Sequence, residues 1–179
     1  MTTERALSDP APRLVPDLPF PRYAHVPGQT PHPHSDPRGH SYGPPAAPAA
    51  PLDPAHWPES RVYLYGLDLF NHGYYWEAHE AWEGLWHACG RAGTVADLLK
   101  GLIKLAAAGV KHREGRPAGV RSHAGRAERL VRAVAAAVGG EQPHLLGLDL
   151  GGLARLAESI HRDGWPAEPP VLRPVFPAA

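Results

Sequence analysis

Proline divides this chain before any other feature is read. Fifteen of its 22 prolines lie in residues 1–58, and seven lie in the remaining 121. Proline fixes φ and removes a backbone donor, so a stretch this dense in it excludes both helix and central strand. The same stretch has few aliphatic residues and cannot offset its own ordering entropy by burial. Residues 1–58 therefore read as a Pro-rich arm, partly extended or disordered. Residues 59–165 read as a single all-helical domain, and 166–179, with five prolines, as an extended tail. Within the arm, Tyr23-Ala24-His25-Val26-Pro27-Gly28, Pro31-His32-Pro33-His34 and Asp36-Pro37-Arg38-Gly39-His40-Ser41-Tyr42-Gly43 are unusual choices for a mere spacer. A strap over the domain, formed by residues 20–43, competes with a disordered linker. Pro44–Pro51 is an Ala/Pro spacer with polyproline character.

Past residue 58 the periodicity is helical, and nothing alternates with period two for more than a few residues. The first helix is expected over about Glu59–Phe70. Val62, Leu64, Tyr65, Leu67, Leu69 and Phe70 form its apolar stripe, and Asn71-His72-Gly73 its stop. The second ends near Gly90-Arg91-Ala92-Gly93. Thr94-Val95-Ala96-Asp97 has the layout of a capping box and opens a third helix through about Glu114. Pro117 suits the first turn of a fourth, ended by Gly139-Gly140. Asp149 can cap a short fifth, with Leu153, Leu156 and Ile160 facing inward. The expected fold is all-α, a small bundle of about five antiparallel helices with an extended Pro-rich N-terminal arm. Mid-helix glycine costs about 1 kcal/mol relative to alanine, so Gly101 and Gly109 predict a close crossing with the first or second helix.

The second helix carries the chemistry. At 100° per residue, Trp76, His79, Glu80, Glu83, Trp86 and His87 share one face about 120° wide. Ala78, Ala81, Leu85 and Cys89 share the opposite face, with Trp82 at its edge. Acids, imidazoles and indoles on one face suit a half-buried polar site better than open water. On the third helix Arg113 projects from the apolar stripe of Leu99, Leu102, Ile103, Ala106 and Val110. A buried guanidinium needs a carboxylate, and Glu77, Glu80 and Glu83 are the acids at hand. Lys100, Lys104 and Lys111 form a separate stripe that reads as solvated, and His123 sits on the apolar face of the fourth helix.

Composition narrows the function classes. The formal net charge is zero, and residues 59–179 carry 14 Lys/Arg against 13 Asp/Glu, so a nucleic-acid partner is not expected. A single cysteine, Cys89, excludes an intrachain disulfide and a Cys-rich zinc knuckle. No leader opens the chain and no run of 18 apolar residues occurs, so no membrane is expected and the location is taken as cytoplasmic. Partners are unknown from sequence, and a homo-oligomer is left open.

The segment Phe70-Asn71-His72-Gly73-Tyr74-Tyr75-Trp76-Glu77-Ala78-His79-Glu80-Ala81-Trp82-Glu83-Gly84-Leu85-Trp86 resembles the signature of domain of unknown function 309. Leu99–Ala108 and Arg113–Gly119 are similar to its second and third blocks. Val26-Pro27-Gly28, Pro31-His32-Pro33 and Gly39-His40-Ser41-Tyr42-Gly43 resemble an extension found in part of that family. The resemblance implies a small all-helical domain from bacteria, archaea or plastids, with no established activity. It implies that Glu77, His79, Glu80, Glu83 and Trp86 belong to the family motif. Arg116 stands where members often have Asn, and His87 and His112 fall outside the pattern.

Three readings of the second helix compete. In the preferred one, a buried cluster of Glu77, His79, Trp82, Trp86 and Arg113 with the neighbouring acids is structural, and function lies in partner or ligand binding. In another, His79 and Glu83 share a divalent metal (zinc, iron or manganese) beside Glu80, as in a metal-dependent hydrolase. His87, His112 or His123 would then supply further ligands. In the last, a metal-free pocket raises the pKa of Glu80 or Glu83 near Trp76 and Trp86. That acid acts as general acid or base, and Arg113 orients an anionic substrate.

Overall fold

The helical part begins where Ser60 accepts a hydrogen bond from the Tyr63 amide, a cap that sets the first helix, α1, at Arg61–Asn71. The computed structural model describes residues 11–44 and 47–178, so what was expected of residues 1–10, 45, 46 and 179 lies outside them. A 3-10 turn, Trp57–Glu59, precedes α1 and delays its start relative to the apolar spacing. The stripe is also displaced. Val62 is 40% exposed, whereas Tyr63 is fully buried and donates its hydroxyl to the Leu146 carbonyl at 2.9 Å.

Four further helices follow: α2 (Tyr75–Ala88), α3 (Thr94–Arg113), α4 (Pro117–Val138) and α5 (Leu150–Asp163). Consecutive helices are packing neighbours, so the chain is the all-α bundle that the periodicity predicts. A hairpin of two residues per strand, β1 (His144–Leu145) and β2 (Leu148–Asp149), links α4 to α5. Strands that short leave no period-two signal. Asp149 caps α5 through the Gly151 amide, as its position suggests. The capping box at Thr94 does not form. Gly93, at φ +92°, is the cap, its carbonyl takes the Asp97 amide, and Thr94 is already the first helical residue.

Helix α3 runs through the centre, with Leu98, Leu99, Leu102, Leu105, Ala106 and Ala108 at 1% exposure or less. Its glycines mark two different crossings. A Cβ at Gly109 would lie 2.5 Å from the Tyr75 ring on α2, in line with the expected partner. A Cβ at Gly101 would instead lie 3.1 Å from Val131 on α4, which corrects the expectation of the first or second helix.

The arm follows from the same backbone accounting. A Pro-rich segment has few partners of its own, so its remaining amides need acceptors elsewhere. Two buried carboxylates of the domain supply them. Asp68 on α1, fully buried, accepts from the Leu14 amide (2.7 Å), the Val15 amide (2.9 Å) and Arg13 Nε (3.2 Å). Phe20 stacks on Tyr74 at 4.8 Å, with the Arg13 guanidinium 3.9 Å over its ring. Glu77 on α2 is the second anchor. The C-terminal tail is extended and pinned: Asn71 exchanges two hydrogen bonds with the Leu172 backbone, and the Val175 amide donates to the Gly147 carbonyl.

Candidate metal centre

Helix α2 presents three different directions. Tyr75, Ala78, Trp82 and Leu85, at helical spacing, are buried against α1 and α3. Trp82 thus belongs to the core, packed over Gly66 of α1, and not to a ligand site. Glu77 points another way, beneath the arm, and is 6% exposed. Its Oε1 accepts from the His25 amide at 2.8 Å and meets His40 Nε2 at 2.9 Å.

The third direction holds His79, Glu80 and Glu83. One ligand atom from each lies within 4.8 Å of the others, and all three residues are half-buried rather than deep in the core. His79 Nδ1 is enclosed yet has no hydrogen-bond partner, and it stands 3.6 Å from Glu80 Oε1. This is an ion-pair separation, too long for a hydrogen bond. The other Glu80 oxygen faces His34 Nε2 of the arm at 3.5 Å. His79, and then His34, hold the Glu80 carboxyl below its ordinary value, against the opposing effect of burial. At Glu80 that direction is opposite to the raised value expected of a desolvated acid, because imidazoles face its carboxylate.

Trp76 joins the two sides. The rings of His25, His32 and His34 pack around it with centroids 5.0, 5.6 and 5.7 Å away. It also lines a cavity of about 200 Å³ together with Pro27, His79, Val110 and Lys111. Lys111 is not free there, since its Nζ bonds both Glu114 oxygens at 2.8 and 2.9 Å. A wider hollow of about 580 Å³ lies on the far side of Glu80, between the spacer and α2.

Several assigned residues do not join the cluster. Arg113 is exposed, donates to the Gly73 carbonyl at 3.4 Å and lies 5.8 Å from the Tyr75 ring. It forms no ion pair with Glu77, Glu80 or Glu83 among the described residues, because the apolar stripe of α3 leaves the bundle in its last turn. His87 is exposed and accepts from Arg91 Nε at 2.9 Å. His112 stacks on Trp165. Trp86 is half-buried beside Lys100 and Arg91. His123 Nδ1 is buried without a partner, and burial, then the nearby Lys104, pushes that imidazole toward its neutral form. Sequence reading missed His34, Asp68 and the partners of Glu77. Asp68 left a signal as an acid inside the apolar run Leu67–Phe70, and His25, His34 and His40 left one only as part of arm segments too rich in His and Tyr for a spacer.

Fold and site together define a small helical domain with a His/Glu cluster beneath an N-terminal strap. Residues 63–123, from α1 into α4, match the family model described as Domain of unknown function (DUF309), and this segment belongs to that family. No curated protein matches the chain. The matched stretch contains His79, Glu80 and Glu83 and excludes the arm. Among the described residues, no helix is long and apolar enough to cross a membrane.

Proposed function

We propose that the domain binds a divalent metal ion through His79, Glu80 and Glu83. The observation that carries this reading is a shortage of positive charge. Two carboxylates and an imidazole converge within 4.8 Å, and no Lys or Arg pairs with either acid among the described residues. The structural-network reading relied on Arg113 as counter-charge, and Arg113 lies elsewhere. A divalent cation supplies the missing charge and a partner for the orphaned His79 Nδ1.

The spacing fits such a group. Four ligands at metal bonds of about 2.0–2.1 Å stand roughly 3.3 Å apart, and His79 and Glu80 are 3.6 Å apart. Imidazole with carboxylates suits zinc, iron or manganese. Three protein donors leave room for water or substrate, as catalytic sites require, and His79 also lines the cavity beside Trp76. When bound, the metal would act as a Lewis acid or lower the pKa of a water. This chain's own part is to orient the donors, with Trp76 and Pro27 limiting access of bulk water.

Metal analysis of purified, tag-free protein tests the proposal. The expected result is about one ion per chain, together with a melting temperature that falls when a chelator strips the ion. Metal bound only to the native state stabilises it by about 2.7 kcal/mol at a hundredfold excess over Kd. His79→Ala should lose both the metal and the chelator response. Failure to bind zinc, manganese or ferrous iron, with melting unchanged by chelator, would overturn it.

A further inference from the structure

We propose that the groove between α3 and α4 binds a small polyphosphate, free or carried on an organic group, through Lys100, Lys104, Arg126 and Arg129. The inference is independent of the metal reading above and uses other residues. Lys100 and Lys104 stand about one turn apart on α3, and Arg126 and Arg129 about one turn apart on α4. Together with Leu130 and Ala133 they line a cavity of about 500 Å³. None of the four forms an ion pair or donates a hydrogen bond to a protein acceptor among the described residues. Lys104 is half-buried and still has no carboxylate.

Neighbouring cations on the same helices are treated differently. Lys111 bonds both Glu114 oxygens, and Arg132 reaches Glu128 and Glu158 at 2.8 Å each. Glu128 lies between Arg126 and Arg129 in sequence, yet its carboxylate pairs with Arg132 and does not line the groove. Lys100 rests 5.9 Å from the Trp86 ring, an indole and not an acid. Like charges gathered without counter-charge repel and destabilise the fold. Residues 59–179 carry 14 Lys/Arg against 13 Asp/Glu, acids enough to neutralise such a site, and none is placed in it. The same field reaches His123, where burial, then Lys104, Arg126 and Lys111, favour the neutral imidazole.

The groove follows from the helix crossing. Gly101 lets α3 and α4 approach closely, since a Cβ there would lie 3.1 Å from Val131 and 3.7 Å from the Leu130 Cβ. Leu130 and Ala133 supply the apolar lining, and long cationic side chains from both helices supply the rest. A phosphate group carries about 1.5–2 negative charges near pH 7 and offers several acceptor oxygens, so a short chain of linked phosphates matches the four cations in a compact space. Arginine takes phosphate through its planar fork, and lysine takes it as a point charge. The volume, about 500 Å³, lies in the range of small-molecule sites, roughly 300–1,000 Å³. A nucleic acid would need a longer basic track, and the next cations after Lys104 and Arg129, Lys111 and Arg132, are already paired.

The experiment titrates the full-length chain calorimetrically with tripolyphosphate, ATP, citrate and a short DNA duplex at physiological ionic strength, with and without a metal chelator. Tripolyphosphate should bind equally well in both conditions, which separates this groove from the α2 site. Lys104→Gln and Arg129→Gln should each weaken it about 10–100-fold, as the loss of a charge-assisted hydrogen bond does. Both variants should melt at or above the parent's temperature, because repulsion is relieved. Arg155→Gln makes the same charge change at a residue paired with Asp149 outside the groove, and should alter affinity by less than about twofold. Tighter binding of ATP than of tripolyphosphate would assign the apolar lining to a nucleoside, and equal binding would assign the site to the bare chain; both support polyphosphate chemistry. Citrate or duplex binding as tightly as tripolyphosphate would overturn the proposal. So would equal losses in Arg155→Gln and Lys104→Gln, binding abolished by the chelator, or no binding of tripolyphosphate and ATP.

Discussion

Asp68→Asn isolates what holds the arm to the domain. The native carboxylate is fully buried and receives three donors, at 2.7, 2.9 and 3.2 Å. Asparagine keeps one oxygen, which can serve the Leu14 amide. Its NH2 group then faces the Val15 amide and Arg13 Nε, donor against donor. Two charge-assisted hydrogen bonds disappear, each with a net value of about 1.5–3 kcal/mol. The expected loss is therefore about 3–5 kcal/mol, the range found when one partner of a buried charged pair is removed. How it is measured depends on cooperativity. If arm and bundle unfold together, the urea midpoint falls with unchanged slope. If the arm releases alone, the loss cannot exceed its docking free energy, and trypsin cleavage at Arg13 and Arg22 accelerates while the bundle's transition stays in place. An Asp68→Asn protein with both the parental urea midpoint and the parental cleavage rate would refute the argument that this carboxylate secures the arm.

Two further outcomes follow. Arg113→Met should leave stability within about 0.5 kcal/mol of the parent in urea melts, because the side chain is exposed and bonds one carbonyl; a loss of several kcal/mol would restore it as a buried counter-charge. Arm docking should weaken in acid: burial, then the charge of His32, lowers the His25 pKa against the favourable effect of Glu77, with His40 also opposing protonation, so its contribution is complete above the unfolded value of about 6.5 and is lost as pH falls through the lowered one. Trypsin cleavage at Arg22 followed from pH 8 to 5 checks this, and a flat profile would contradict it.

Helical phase made much of the bundle legible. The stop at Asn71-His72-Gly73, Pro117 in the first turn of α4 and the Asp149 cap are local events, decided within a few residues, and the structure has each of them. What phase could not give was the depth of each face. Val62 and Tyr63 are adjacent, and both suit an apolar stripe. Only the hairpin carbonyl of Leu146, far along the chain, decides that Tyr63 is the buried one. Gly101 illustrates the same limit: its need for a close neighbour was legible, and the identity of that neighbour was not.

The site divides along the same line. Spacing along α2 was enough to place His79, Glu80 and Glu83 together, because residues three and four apart share a helix face. It could not assign Glu77, which leaves that face and finds its partners 52 and 37 residues earlier, in His25 and His40. Arg113 went wrong for a related reason. An apolar stripe implies burial only while another element lies over it, and α3 outruns its cover in the last turn. A Pro-rich arm has no periodicity to reveal where it lies, so its contacts are visible only from the acids they satisfy. Asp68 and Glu77 are two such acids, each buried with no Lys or Arg of its own domain paired to it among the described residues. An acid placed in an apolar helical run without a nearby cation is thus an observation about a distant segment. In this chain both such acids are served by residues 13–40, the stretch that also brings His34 to the open side of Glu80.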